Sequence, residues 1–211
     1  MTYLYLIFIG YFIGSFPTAY ILLKKFRQND ITLVGSKNVG AMNCYQVTNS
    51  KLLGITVFLI DFLKGLVVVL LTKFLISSSF TSLSIALIAA IIGHCFSIWI
   101  NFKGGRGLST AAGGVIVIAP LVLVIWVILW IVAYFYKRNI HFSNIVASFL
   151  VLILSFTSVD ILSKYTFSII NNKNIVSFVI SFIMILIFFG HAAPLKKQFN
   201  LLKKQCRRAN V

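Results

Sequence analysis

The chain has 211 residues, of which 60% are hydrophobic and only 10% are charged, and its 19 Lys and Arg against 3 Asp and Glu give a formal net charge of +16. A soluble domain has about a quarter of its residues charged, so this composition excludes an ordinary soluble enzyme, a disordered chain and a collagen-like chain. It indicates an all-α integral membrane protein in which residues 1–211 form a single membrane-embedded domain.

The acidic residues and cysteines exclude further kinds of site. Asp30, Asp61 and Asp160 are scattered and there is no Glu, which excludes a carboxylate-bound metal centre and a two-carboxylate glycosidase. The three cysteines lie far apart without Cys-x-x-Cys spacing, so we expect no zinc site and no disulfide framework. No cofactor is expected either. Because most basic residues lie between or beyond apolar runs, we expect them to meet anionic membrane lipids or an anionic substrate, and not nucleic acid.

Apolar runs predict a bundle of seven transmembrane helices. The run that follows Gly107 is longer than a bilayer core and contains Pro120, so one tilted helix and two helices are the alternatives. Two helices keep the basic tail on the same side as Lys137 and Arg138, as the positive-inside rule requires, and the fourth helix is then short. The predicted segments are about Tyr3–Leu23, Leu52–Ile76, Thr81–Ile100, Leu108–Ala119, Pro120–Tyr136, Phe142–Val159 and Asn174–Gly190.

The positive charges also predict the orientation of this bundle. Lys24, Lys25 and Arg27 follow the first run directly, so we expect the N-terminus outside and a cytoplasmic loop over Lys24–Lys51. The C-terminal tail is then cytoplasmic as well. Its basic residues are Lys196, Lys197, Lys203, Lys204, Arg207 and Arg208.

The first cytoplasmic loop contains the run Gly35-Ser36-Lys37-Asn38-Val39-Gly40-Ala41-Met42-Asn43. Small residues let a backbone close around an anion, Ser and Asn side chains donate hydrogen bonds, and Lys37 adds charge. A helix that starts after the run would direct its free N–H groups at a phosphate. A flexible turn has the same composition, and the run by itself leaves both interpretations open.

The second cytoplasmic loop contains Phe102-Lys103-Gly104-Gly105-Arg106-Gly107-Leu108-Ser109-Thr110. Three glycines flanked by Lys and Arg, before an apolar helix, favour an anion-binding nest over a simple hinge. The run lacks the Walker A spacing and follows no strand, which argues against a nucleoside triphosphatase.

Ionisable residues near these loops complete the candidate site. His94 lies near the inner end of the third segment, His191 ends the seventh and His141 opens the sixth. A lone histidine there is more often an interfacial or capping residue. Proximity to the two loops raises the weight of a functional role for His94 and His191 and leaves both interpretations open. Asp61 and Lys64 lie within the second segment at i, i+3, where a structural ion pair facing the bundle interior is favoured over a substrate contact.

Together these motifs resemble those of the bacterial membrane glycerol-3-phosphate acyltransferases that use acyl-phosphate as donor (the PlsY type). The first motif of that family is similar to Gly14–Pro17, Asp30 and Gly35–Asn43, and the second to His94–Phe96, Phe102–Gly107 and Thr110. Asp61–Gly65 resembles the family's Asp-x-x-Lys-Gly, and Pro120 has a counterpart. The family fold is a seven-helix bundle with its motifs on the cytoplasmic side, which agrees with the charge argument.

The resemblance implies a function and roles for individual residues. An acyl group would pass from acyl-phosphate to glycerol 3-phosphate, giving lysophosphatidate and phosphate, in the bacterial inner membrane with the site facing the cytoplasm. The catalytic residues would be Ser36, Lys103 and His191, with either His191 or the substrate's own phosphate as the base. The substrate-binding residues would be Gly35, Asn38, Gly40, Asn43, His94, Gly104, Gly105, Arg106 and Gly107.

The chain departs from the family pattern at several positions. Thr32 and Gln46 replace arginines of the first motif, and Ser97 replaces a proline of the second. In the third motif, Pro194 replaces an asparagine, Lys197 replaces an arginine and the glutamate is missing. Because Lys cannot reproduce a bidentate guanidinium contact, a paralogue that acylates another polar acceptor and a non-catalytic anion carrier or scaffold remain alternative hypotheses.

Overall fold

The computed structural model of the chain describes residues 1–209, except for the side chains of residue 198 and of residues 201–209. The side chains of the basic tail residues Lys203, Lys204, Arg207 and Arg208 therefore lie outside the described part. Within it the chain is helical, with a 3-10 turn over Ile98–Ile100. The α-helices are α1 (Thr2–Ser15), α2 (Thr18–Arg27), α3 (Ala41–Thr48), α4 (Lys51–Leu75), α5 (Phe80–Cys95), α6 (Leu108–Ile118), α7 (Pro120–Lys137), α8 (Ile140–Thr157), α9 (Val159–Lys164) and α10 (Lys173–Ala209).

Five helical segments of the described chain are long and apolar enough to cross a membrane. They are Thr2–Arg27, Lys51–Leu75, Pro120–Lys137, Ile140–Thr157 and Lys173–Lys197. Two further apolar helices are shorter, since α5 has 16 residues and α6 has 11. About 20 apolar residues span a hydrocarbon core, so the long segments define a multi-pass membrane protein.

The first apolar run forms one candidate membrane span, as predicted for about Tyr3–Leu23, but it consists of two helices and not of one. Helix α1 ends at Ser15, and α2 begins at Thr18. Phe16 has extended backbone angles (φ −56°, ψ 118°), as expected for a residue that precedes a proline. Pro17 therefore divides an apolar stretch that hydropathy alone reads as continuous.

Three other predicted boundaries are corrected by the structure. The predicted loop Lys24–Lys51 contains α3, which packs on α4. The predicted third segment stops at Cys95, before Ile100, because the chain turns back and Gly105 N–H donates to the carbonyl of His94 (3.0 Å). The last helix does not end at Gly190 but continues through Pro194, since a proline removes only one hydrogen bond from the helix.

The helices pack in pairs whose contacts depend on small residues. Helix α1 lies against α5, α4 against α6, and α8 against both α7 and α10. A Cβ atom at Gly113 of α6 would overlap the carbonyl of Phe62 in α4, so glycine allows these backbones to touch. Between α8 and α10, the hydroxyls of Ser155 and Ser181 are 2.8 Å apart. The main core cluster is apolar and includes Leu83, Leu87, Ile91, Ile118, Ile183 and Ile187.

This packing brings the predicted functional segments to one end of the bundle. The segment between α2 and α4, the loop between α5 and α6, the start of α8 and the region of α10 around His191 meet there. At the opposite end of the bundle, the start of α5 contacts the segment between α9 and α10: Phe80 N–H donates to the carbonyl of Ile169 (2.9 Å).

Candidate active site

The first glycine loop is shaped from beneath by Asn43, which is buried. Its Oδ1 accepts a hydrogen bond from Ser36 N–H (2.9 Å), and its Nδ2 donates to the carbonyls of Asn38 (2.9 Å) and Val34 (3.2 Å). Gly35 and Lys37 have left-handed φ angles of 59° and 61°, which turn the chain tightly around this amide. Because the Asn43 amide is committed to the loop backbone, the structure places this predicted binding residue as the loop's internal support.

Other predicted residues of the first loop lie on its outer side. Ser36 and Lys37 are exposed, and Asn38 is half-buried. Gly40 has an extended backbone (φ −156°) and forms the N-cap of α3, where its carbonyl accepts from Cys44 N–H (3.0 Å). The loop therefore offers hydroxyl, ammonium and amide groups at the mouth of the site.

The second glycine loop packs directly on the end of α5. A Cβ atom on Gly104 would overlap the carbonyls of His94 and Cys95, and one on Gly105 would overlap the imidazole of His94. The loop is also fixed by Phe102 N–H, which donates to the carbonyl of Ser97 (2.8 Å). These close approaches, and not flexibility alone, require glycine here.

The beginning of α6 and the cations of the second loop lie beside these glycines. Gly107 takes a left-handed φ of 77° at the N-cap of α6. Lys103 is exposed, whereas Arg106 is half-buried and burial lowers the pKa of its guanidinium from the usual value. The two basic side chains place positive charge on the loop, next to a helix N-terminus.

The two loops are in direct contact with each other. Val39 N–H donates to the carbonyl of Gly104 (3.1 Å). Nearby, hydrogen bonds from the hydroxyl and the N–H of Thr32 lower the pKa of Asp30, and the positive charges of Lys103 and Lys24 lower it further. The structure therefore places the two loops side by side, as a shared site would require.

A buried charged cluster lies beneath the loops. Lys64 Nζ is 2.6 Å from Asp61 Oδ1, with both side chains almost fully buried, which confirms the predicted structural ion pair. The ammonium also donates to the carbonyl of Phe16 (2.5 Å), and Nδ1 of His94 lies 3.7 Å from Asp61 Oδ1. His94 therefore faces the buried ion pair on one side and Gly105 on the other.

A second polar cluster links the second loop to α8 and α10. Arg106 Nη1 lies 3.4 Å from Nε2 of His141, and Nδ1 of His141 lies 2.9 Å from Nδ1 of His191. Nδ2 of Asn144 is 3.1 Å and 3.2 Å from the two ring nitrogens of His191. The sequence places His141 near the loops but gives more weight to His94 and His191, and it does not single out Asn144. Their spacing of i, i+3 at the start of an apolar helix is the signal that could have found them.

An apolar cavity of about 200 Å³ opens beside the second loop. Its walls come from α4, α6, α7 and α10, and Leu108 and Ser109 at the start of α6 line it next to the loop. The other lining residues include Phe58, Ala112, Val115, Val122, Trp126 and Met184. The site thus combines phosphate-binding chemistry with space for a hydrocarbon chain.

Fold and site together define a multi-pass helical membrane protein whose cationic glycine loops lie beside an apolar cavity. Residues 4–201 match the family model described as glycerol-3-phosphate acyltransferase. The chain therefore belongs to the glycerol-3-phosphate acyltransferase family and is an acyltransferase, as the resemblance of its motifs predicted.

Individual relatives agree with this assignment. The glycerol-3-phosphate acyltransferase of Pelagibacter ubique is 32% identical over 200 residues, which cover 95% of each chain. That of Anaplasma phagocytophilum is 40% identical over 139 residues, which cover 65% of this chain and 71% of the relative. The crystal structure of PlsY (YgiH), an integral membrane glycerol 3-phosphate acyltransferase, in its glycerol 3-phosphate form superposes with a TM-score of 0.76 at 27% identity, covering 95% of this chain and 93% of that chain.

Proposed function

We propose that the protein transfers a fatty acyl group from acyl-phosphate to glycerol 3-phosphate. The primary hydroxyl oxygen of glycerol 3-phosphate attacks the acyl carbonyl, the bond from that carbon to the phosphate oxygen breaks, and the hydroxyl proton passes to a base. The products are lysophosphatidate and inorganic phosphate. The observation that carries this proposal is the contact of two cationic glycine loops with each other beside an apolar cavity.

Two phosphate groups require two sets of donors, and the loops supply them. Ser36, Asn38 and the Gly35–Gly40 backbone hold one phosphate. Lys103, Arg106 and the Gly104–Gly107 backbone hold the other and stabilise the negative charge that develops on the carbonyl oxygen. His191, 2.9 Å from His141 behind Arg106, orients the acceptor. Asn43 and His94 support the two loops from below.

The acyl chain of the donor occupies the apolar cavity. Leu108 and Ser109 belong both to the cavity wall and to the helix that starts at the second loop. A donor whose phosphate sits on that loop therefore has its chain beside the cavity entrance. Burying methylene groups there is favourable by about 0.8 kcal/mol each.

The positive charges favour one orientation in the bacterial inner membrane. We infer seven crossing segments, with α6 as the short fourth segment, the N-terminus outside and the C-terminus in the cytoplasm. Most of the 19 Lys and Arg then fall on the side where the two loops meet. Residues 1–211 form one catalytic domain whose site faces the cytoplasm and whose outer surface contacts membrane lipids.

The test is phosphate release from palmitoyl-phosphate by the purified protein, with and without glycerol 3-phosphate. We expect release that depends on glycerol 3-phosphate and falls about 100-fold or more in Lys103→Ala, because an oxyanion-stabilising charge is lost. Lys164→Ala is the matched control, an exposed lysine at the opposite end of the bundle. Release that ignores glycerol 3-phosphate, or equal losses in both variants, would contradict the proposal.

A further inference from the structure

The contacts between Arg106, His141 and His191 determine which ring nitrogens donate hydrogen bonds and which accept them. Arg106 reaches Nε2 of His141 at 3.4 Å, and Nδ1 of His141 reaches Nδ1 of His191 at 2.9 Å. A guanidinium has donors only. Nε2 of His141 must therefore accept, which places the proton of the neutral His141 ring on Nδ1.

The same reasoning continues to the next ring. If Nδ1 of His141 donates, Nδ1 of His191 is the acceptor and carries no proton. The proton of a neutral His191 then sits on Nε2, since the two ring nitrogens of a neutral imidazole divide the donor and acceptor roles. The guanidinium of Arg106 therefore determines the tautomer of His141 and, through it, that of His191.

Asn144 contacts the same ring from a second direction. Its Oδ1 accepts a hydrogen bond from Trp130 Nε1 (2.5 Å), and an indole nitrogen can only donate. The Nδ2 group of Asn144 therefore faces the ring of His191, 3.1 Å from Nδ1 and 3.2 Å from Nε2. Because the two distances are nearly equal, this contact holds the ring in place without selecting a tautomer, and the selection rests on His141. Asn144 is buried, so the contact is shielded from water.

We propose that His141 is a positioning residue that keeps the proton of His191 on Nε2, with Arg106 fixing the tautomer of His141. The inference rests on the proposed function for its catalytic meaning. Within that reaction His191 presents an N–H donor to the substrates. His141 itself acts only through His191.

The tautomer is measured directly on the full-length protein by ¹⁵N NMR of labelled histidine at neutral pH, without substrate. The chain has three histidines, and the variant His191→Gln identifies the His191 signals by their loss. We expect a protonated Nε2 and a bare Nδ1 at His191 in the wild type. His141→Phe should redistribute the proton, whereas His141→Asn should preserve it, because the Asn amide N–H lies where Nδ1 was. A proton on Nδ1 in the wild type, or an unchanged tautomer in His141→Phe, would overturn the proposal.

Kinetics test the same variants in the reaction. We expect kcat to fall about 10- to 100-fold in His141→Phe, with KM for palmitoyl-phosphate changed by less than about threefold, and to recover in His141→Asn. Ser155→Ala is the control, because it weakens the same α8–α10 packing at a distance from the site. A kcat in His141→Phe equal to that of Ser155→Ala would also overturn it. A wild type without glycerol 3-phosphate-dependent release would instead refute the proposed function, while the NMR result would still decide the tautomer.

Discussion

The ammonium of Lys64 has two partners that belong to different parts of the chain. One is the Asp61 carboxylate on the same helix, and the other is the carbonyl of Phe16 at the break between α1 and α2. A helix end leaves carbonyls without intrahelical donors, and such groups are costly in an apolar setting. Lys64 therefore neutralises a buried charge and satisfies a helix end at once.

Removing this ammonium should destabilise the protein. Lys64→Met leaves the buried Asp61 carboxylate with only the more distant imidazole of His94 (3.7 Å), and breaking a buried pair costs about 3–5 kcal/mol. We expect a clearly lower thermal unfolding temperature of the detergent-solubilised protein. The double variant Asp61→Asn with Lys64→Met should regain part of the loss, because no uncompensated charge remains. Equal unfolding temperatures for the wild type and Lys64→Met would show that the pair contributes nothing.

Asn43 shows how one buried amide shapes a whole loop. Three of its hydrogen bonds go to backbone groups of the segment from Val34 to Asn38. A carboxylate at this position could accept from Ser36 N–H but could not donate to the two carbonyls. In the proposed function, the residue therefore contributes to phosphate binding through the conformation of Ser36 and its neighbours.

At the scale of elements, the interrupted first segment is the main departure from a regular bundle. The carbonyl of Ser15 accepts from the hydroxyl of Ser97 (2.5 Å), and that of Phe16 accepts from Lys64. The indole of Trp99 also donates to the Ser15 hydroxyl (3.0 Å). Helix α4 and the turn after α5 thus supply hydrogen-bond donors to the polar groups at the break between α1 and α2. This is why irregular backbone is tolerated inside the bundle.

If the cavity between α4, α6, α7 and α10 holds the acyl chain, filling it should affect long-chain acyl-phosphate donors more than short-chain ones. Ala112→Phe places a ring in the cavity, so we expect KM for palmitoyl-phosphate to rise about tenfold while KM for glycerol 3-phosphate stays the same. A donor with a much shorter chain should be affected less. Val124→Phe, on the exposed face of α7, is the matched control. An equal effect on long and short donors would contradict the assignment of this cavity to the acyl chain.

For the whole molecule, the unequal distribution of basic residues predicts how it lies in the membrane. A protease-sensitive tag before Met1 should be cleaved in intact spheroplasts, and one after Val211 only in inverted vesicles, because cytoplasmic segments retain positive charge. Cleavage of both tags from the same side would require an even number of crossings. That result would contradict the proposed seven segments.

Much of this architecture could be predicted from the sequence, and the failures have physical reasons. Apolar runs identify the helices, and the cationic glycine loops identify the site, because both signals are local. The break at Pro17 was missed because the hydropathy is continuous across it, although X-Pro geometry predicts it. The approach of His141 to His191 joins residues 50 positions apart, and no local pattern encodes such a pairing.

The bond between Val39 and Gly104 has a consequence for how the substrates influence each other. It joins the two loops, so we expect a ligand that displaces one loop to shift the other as well. Any change that the first phosphate ligand causes in the affinity for the second must be returned by the second to the first, by the same factor. The ternary complex has the same free energy whichever substrate binds first, so this hydrogen bond can change the size of the coupling and the rates along each route, but not the end point.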